Sequence, residues 1–143
     1  MNAIPTPTES RIVSEIQELF KHYGPTFVDL AIGKRSDLDA LLNFYGAPLR
    51  FIGSTFHMVM KDRDNITGEE GMGGEIRRLQ RGHFAASTLD KCVIDVLNAQ
   101  AALVHAVWLR QDSGGAVAKF NVLYLVAHTA EGWRITSAVE LSD

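Results

Sequence analysis

The stretch AEGWRITSAVE, residues 130–140, decides how this chain is read. Beyond Gly132, large apolar residues (Trp133, Ile135, Val139) alternate with Arg134, Thr136 and Glu140, which is the period of a strand with one buried face. With AEG as a three-residue loop and Gly132 in the left-handed region, Thr129 falls opposite Trp133, Ala127 opposite Ile135, Leu125 opposite Ser137 and Leu123 opposite Val139. That register makes one face nearly dry. The other face sets Phe120, Val122, Tyr124, Val126 and His128 beside Arg134, Thr136, Ala138 and Glu140. Neither is polar enough to stand bare in water, so helices are expected over one and a second copy of the chain over part of the other.

Upstream, residues 89–97, 101–111, 116–129 and 133–141 are long strand-like runs divided by turn signals at Asn98, DSGG and AEG, which predicts an antiparallel meander. The first half is helical. Residues 1–8 read as a mobile arm, and 9–143 as a single domain. Ile12, Ile16, Leu19, Phe20 and Tyr23 recur at helical spacing behind a cap at Thr8 or Ser10, and Gly24-Pro25 ends or kinks that helix. TFVDLAI then offers a short apolar turn, with Gly33 as its stop. Ser36 is placed to cap DLDALLNFY, with Asp37 and Asp39 favoured in the first turn. LRFIG and FHMVM are short extended pieces, KDRDN a polar turn, and GEEGMGG a glycine-rich loop feeding a helix through EIRRLQRGHF.

Composition narrows the function classes. The chain has 143 residues, 46% hydrophobic and 22% charged, with a net charge of -3, as expected of a globular domain with no general attraction for nucleic acid or anionic lipid. No apolar run reaches the roughly 18 residues of a membrane span and no basic leader is present, so a cytoplasmic location is the expectation. The single Cys92 excludes an internal disulfide, and in DKCVID it reads as a buried, inert thiol. No two histidines stand at metal-ligand spacing and no Cys-x-x-Cys occurs, so neither a metal nor another cofactor is expected.

The order of elements, with DLDALLNFY and EGWRITSAVE as its most recognisable pieces, resembles the nuclear transport factor 2-like superfamily, close to its SnoaL-like branch. The resemblance runs from about residue 12 to 139. It implies an α+β, cystatin-like cone in which N-terminal helices pack on a curved antiparallel sheet around a cavity, and a homodimer built through the sheet. It also implies an apolar or ring-shaped ligand, with isomerase, cyclase or dehydratase chemistry in some members and pure binding in others. In the isomerases the proton-abstracting carboxylate falls at the place of Ile52 and Gly53, where this chain has no acid.

His57, in STFHMVM, is the nearest substitute as acid or base, and equally a histidine bonded at the rim of a core. His105 points into the cavity or onto the subunit contact, depending on register. His83 sits near a helix end, and His22 and His128 read as surface residues. Tyr23 and Tyr45 end their helices, where the resemblance places cavity-facing hydroxyls, and Asn121 and Ser137 are polar positions in apolar strands. These four are candidates to orient a ligand, or to hold buried water. Phe27, Met60 and Trp133 either wall the cavity or fill it. Arg77, Arg78 and Arg81 are the first arginines to consider for an anionic ligand. If instead no ligand is bound, the sheet surface carrying Phe120, Tyr124 and Arg134 is the expected contact for a subunit or another protein.

Overall fold

The computed structural model describes residues 6–142. The first five residues of the expected arm lie outside them. Thr6 is the N-cap of α1 (Pro7–Ala31), its hydroxyl accepting the Glu9 amide at 3.1 Å, so the cap falls earlier than Thr8 or Ser10. The helix also runs straight through Gly24-Pro25. A mid-helix proline costs roughly 3 kcal/mol, but Phe20, Tyr23, Phe27 and Leu30 are buried on both sides of it, at roughly 1.5–3 kcal/mol each. Pro25 and Lys21, whose carbonyl loses its donor, both lie on the exposed side. Gly33, at φ +80°, ends the helix as expected.

DLDALLNFY forms a 3-10 helix, Leu38–Asn43, rather than an α-helix, and Ser36 does not cap it. The Asp37 carboxylate is held by the Arg35 fork at 2.9 and 2.6 Å, which leaves it no amide to cap. The chain then enters β1 (Tyr45–Ile52) and β2 (His57–Met60), the two short strands that were expected. KDRDN is more than a turn. Asp62 accepts the Asn65 amide at 2.8 Å and starts α2 (Arg63–Thr67). After it, α3 (Met72–Arg81) begins inside the glycine run. A Cβ at Gly73 or Gly74 would stand 1.9 Å from the Thr67 or Glu69 carbonyl oxygen, so these glycines allow a close chain crossing.

The meander follows as β3 (Phe84–Asn98), β4 (Ala101–Asp112), β5 (Val117–Thr129) and β6 (Gly132–Glu140). All six strands form one open sheet in the order β2-β1-β6-β5-β4-β3. It is mixed rather than wholly antiparallel, because β1 runs parallel to β6. Among the described residues, no helix is long and apolar enough to cross a membrane.

The register of β5 and β6 departs from the expected one near the turn and returns to it further on. The loop is the two residues Ala130 and Glu131, with Gly132 at φ +109° already paired to Thr129, so that His128 faces Trp133 and Val126 faces Ile135. A bulge at Thr136 then restores Leu125 to Ser137 and Leu123 to Val139. The inward face is therefore Trp133, Ile135, Ala138 and Glu140, opposite His128, Val126, Tyr124 and Val122. Ser137 and Val139 turn outward. The faces read from the sequence are thus corrected: Phe120 and Tyr124 belong to the interior, not to a sheet surface available to a partner.

Candidate functional site

Alternation along β4 sends Ala102, Val104 and Ala106 inward as small buried side chains, then Trp108 and Arg110 as large ones. On β5 the same face carries Phe120, Val122 and Tyr124. Between these residues and the helices a cavity of about 330 Å³ remains unfilled. That lies at the lower end of ligand pockets, roughly 300–1,000 Å³. Tyr23 and Phe27 of α1 form one wall. Met72, Glu75, Arg78 and Leu79 of α3 form another, and Phe51, Phe56 and Met58 of the β1–β2 hairpin close a third side. Phe56 and Arg78 are themselves exposed, which marks where the cavity reaches solvent.

One buried polar chain crosses the wall. The Trp108 indole N–H donates to the Tyr124 hydroxyl at 2.9 Å, and the Tyr23 and Tyr45 hydroxyls share a hydrogen bond of 2.5 Å. Tyr23 packs edge-on against Trp108, Tyr45 and Tyr124, so the three tyrosines of the chain form one cluster. Burial pushes all three phenols well above their ordinary range. They serve as neutral hydrogen-bonding groups and not as bases. Gly24 lets the Trp108 ring lie on the helix backbone: a Cβ there would meet the ring at 3.2 Å.

The charges lining the cavity are unevenly matched. Arg78 forks onto Glu75, with its Nε–H donating at 3.1 Å. Glu140 comes from β6 with no salt bridge among the described residues. Arg110 lies over the Phe120 ring, 4.5 Å from its centroid, and its Nε is buried with no hydrogen-bond partner among the described residues. No cluster of three or more His, Cys, Asp or Glu side chains suited to a metal occurs among the described residues.

Of the residues singled out in the sequence, Tyr23 and Phe27 line the cavity, and Tyr45 stands behind Tyr23 as its hydrogen-bond partner. Met60 is core, 1% exposed, outside the lining. Trp133 is buried against His128 and floors an open groove beside α1, not the cavity. Asn121, Ser137 and His105 lie on the outer face of the sheet, where His105 keeps a buried Nε2 without a partner among the described residues. His57 is exposed and contacts Arg50 at 3.2 Å. In so short a strand, alternation turns Met58 and Met60 inward and His57 away, so it has no position from which to act on a ligand in this cavity.

Sequence reading missed Trp108, Arg110, Glu75 and Glu140. The signal for the first two was available: Trp108 and Arg110 share a face in a strand whose other inward residues are apolar. Glu140 was assigned outward because nothing in the sequence marks the bulge at Thr136.

This geometry, helices laid on a strongly paired sheet around a partly open cavity, is that of an α+β cone. Residues 14–143 match the family described as NTF2-like protein (DUF6841), and the chain belongs to that family. No relative among curated proteins matches the sequence. An NTF2-like protein with a cystatin-like fold from Novosphingobium aromaticivorans is similar in structure, with TM-score 0.62 and 22% identity over 96% of this chain and 90% of that one. A candidate scytalone dehydratase from the same organism aligns at TM-score 0.68 and 14% identity, covering 97% and 89% of the two chains. A candidate aromatic ring hydroxylase, also from that organism, aligns at 0.68 and 18%, covering 95% and 90%. Identities this low establish the shared fold and nothing about activity.

Proposed function

We propose that this protein binds a small, ring-bearing organic molecule in the cavity between α1, α3 and the sheet. The observation that carries the proposal is the cavity itself. About 330 Å³ is left open among Phe27, Phe51, Phe56, Trp108 and Phe120, although interiors normally close such space. An apolar cavity of roughly 150 Å³ suffices for benzene, so one or two rings fit here. A SnoaL-like isomerase, cyclase or dehydratase step at this site would draw on Glu140, the lining carboxylate without a salt bridge among the described residues, as its base.

Filling the cavity tests the proposal. Calorimetry with 2-naphthamide, a neutral two-ring probe, should detect binding to the native protein and none to Val122→Trp. Leu79→Trp fills the same space from α3 and serves if the first variant does not fold. Undiminished binding to a folded filled variant would place the ligand elsewhere.

A second reading concerns the outer face of the sheet. Val93 there is 50% exposed, Leu103, Leu123, Leu125 and Val139 lie on the same face, and His105 adds a nitrogen without a partner among the described residues. A homodimer through this face would cover it with a second copy in a self-complementary contact. Sedimentation should then give a dimer mass for the native protein and a monomer mass for a folded Leu123→Glu variant. A monomeric native protein would end this reading.

A further inference from the structure

Two of the charges lining the cavity, Arg110 and Glu140, have no polar partner among the described residues, and Arg110 is the cation of the two. Its guanidinium carbon lies 4.5 Å from the Phe120 ring centroid and 5.9 Å from those of Phe27 and Phe84. Ring faces attract a cation, but they give its N–H groups no acceptor. Among the described residues, Arg110 makes no salt bridge and no hydrogen bond, and its Nε is shut off from water. The arginines of α3 are differently placed: Arg78 is taken by Glu75 and Arg77 by Glu69. A guanidinium N–H shut off from water without an acceptor is costly unless something completes its bonding.

We infer that the molecule held in this cavity carries a carboxylate, which Arg110 binds while the rings of the ligand pack on Trp108, Phe120 and Phe27. The inference rests on the ligand-binding reading above and narrows its ligand to a ring-bearing carboxylic acid. A carboxylate is planar and offers two oxygens to two N–H groups along one guanidinium edge. It also brings only a single negative charge to the one lining cation that has no partner among the described residues. A phosphate ester would bring nearly two, in a cavity that Glu75 and Glu140 also line.

Two probes of one shape test this: 2-naphthoate, which carries the carboxylate, and 2-naphthamide, which does not. Calorimetry on the native protein should show the acid binding about tenfold or more tighter than the amide, as a charge-assisted hydrogen bond to a partly buried arginine requires. Arg110→Met keeps an apolar stem against Phe120 and should bring the two probes to within about twofold of each other, while Arg110→Lys should keep part of the preference. If Arg110→Met does not fold, the native acid-to-amide ratio and the lysine variant decide. Equal binding of the two probes by the native protein would overturn the carboxylate inference and leave the cavity reading standing. Binding of neither would remove the cavity reading, and this inference with it.

Discussion

The most constrained residues are Tyr23, Tyr45 and Tyr124, because three phenols buried together can be satisfied only by one another and by Trp108. Their ionisation is suppressed by burial in the folded protein, whereas the unfolded chain ionises them near pH 10. The folded state therefore holds more phenolic protons in alkali. Their contribution to stability is complete below about pH 10 and declines above it, by up to about 4 kcal/mol per pH unit for three groups. Alkaline denaturation followed by tyrosinate absorbance should show the phenols ionising only as the protein unfolds. Stepwise ionisation of the intact fold near pH 10 would contradict the burial. Tyr23→Phe should reduce the slope by about a third, and by leaving the Tyr45 hydroxyl unpaired should cost roughly 1–3 kcal/mol in urea unfolding.

At the scale of elements, the bulge at Thr136 decides which side chains of β6 meet the cavity. Ala138, fully buried, and Ser137, on the outer face, exchange roles if it is absent. Ala138→Asp should thus cost several kcal/mol by burying an unpaired charge, while Ser137→Asp leaves the fold intact. Comparable stabilities in urea unfolding would show that the register runs without the bulge. The same element marks the limit of sequence reading. The strands and their order along the chain were legible from period-two patterning, as were β1 and β2 from LRFIG and FHMVM. The one-residue offset between Gly132 and Thr136 was not, since a bulge leaves the residue types unchanged. Gly24-Pro25 and GEEGMGG were read as breaks because local propensity says so. Buried contacts either side of Pro25, and the crossing at Gly73 and Gly74, outweighed that propensity.

On the scale of the whole molecule, the family was visible in the order of elements, and the site only in part. Tyr23 was found through the resemblance, which places cavity-facing hydroxyls at helix ends, although α1 in fact runs on past it to Ala31, and Phe27 was expected either to wall the cavity or to fill it. Arg110 and Glu140 depend on which way long strands face, which is fixed by pairing at a distance. The same dependence misplaced His57, whose apolar neighbours suggested burial but whose strand turns it outward. What the assembled molecule offers is a cavity beside one of its two tryptophans: Trp108 lines it, and Trp133 lies outside it, against His128. The decisive measurement is a two-dimensional proton–nitrogen NMR titration of the labelled protein with 2-naphthoate, following the two indole signals. The account predicts that the Trp108 signal shifts with increasing probe while the Trp133 signal stays in place. Movement of Trp133 alone, or of neither, would contradict a ligand site in the cone.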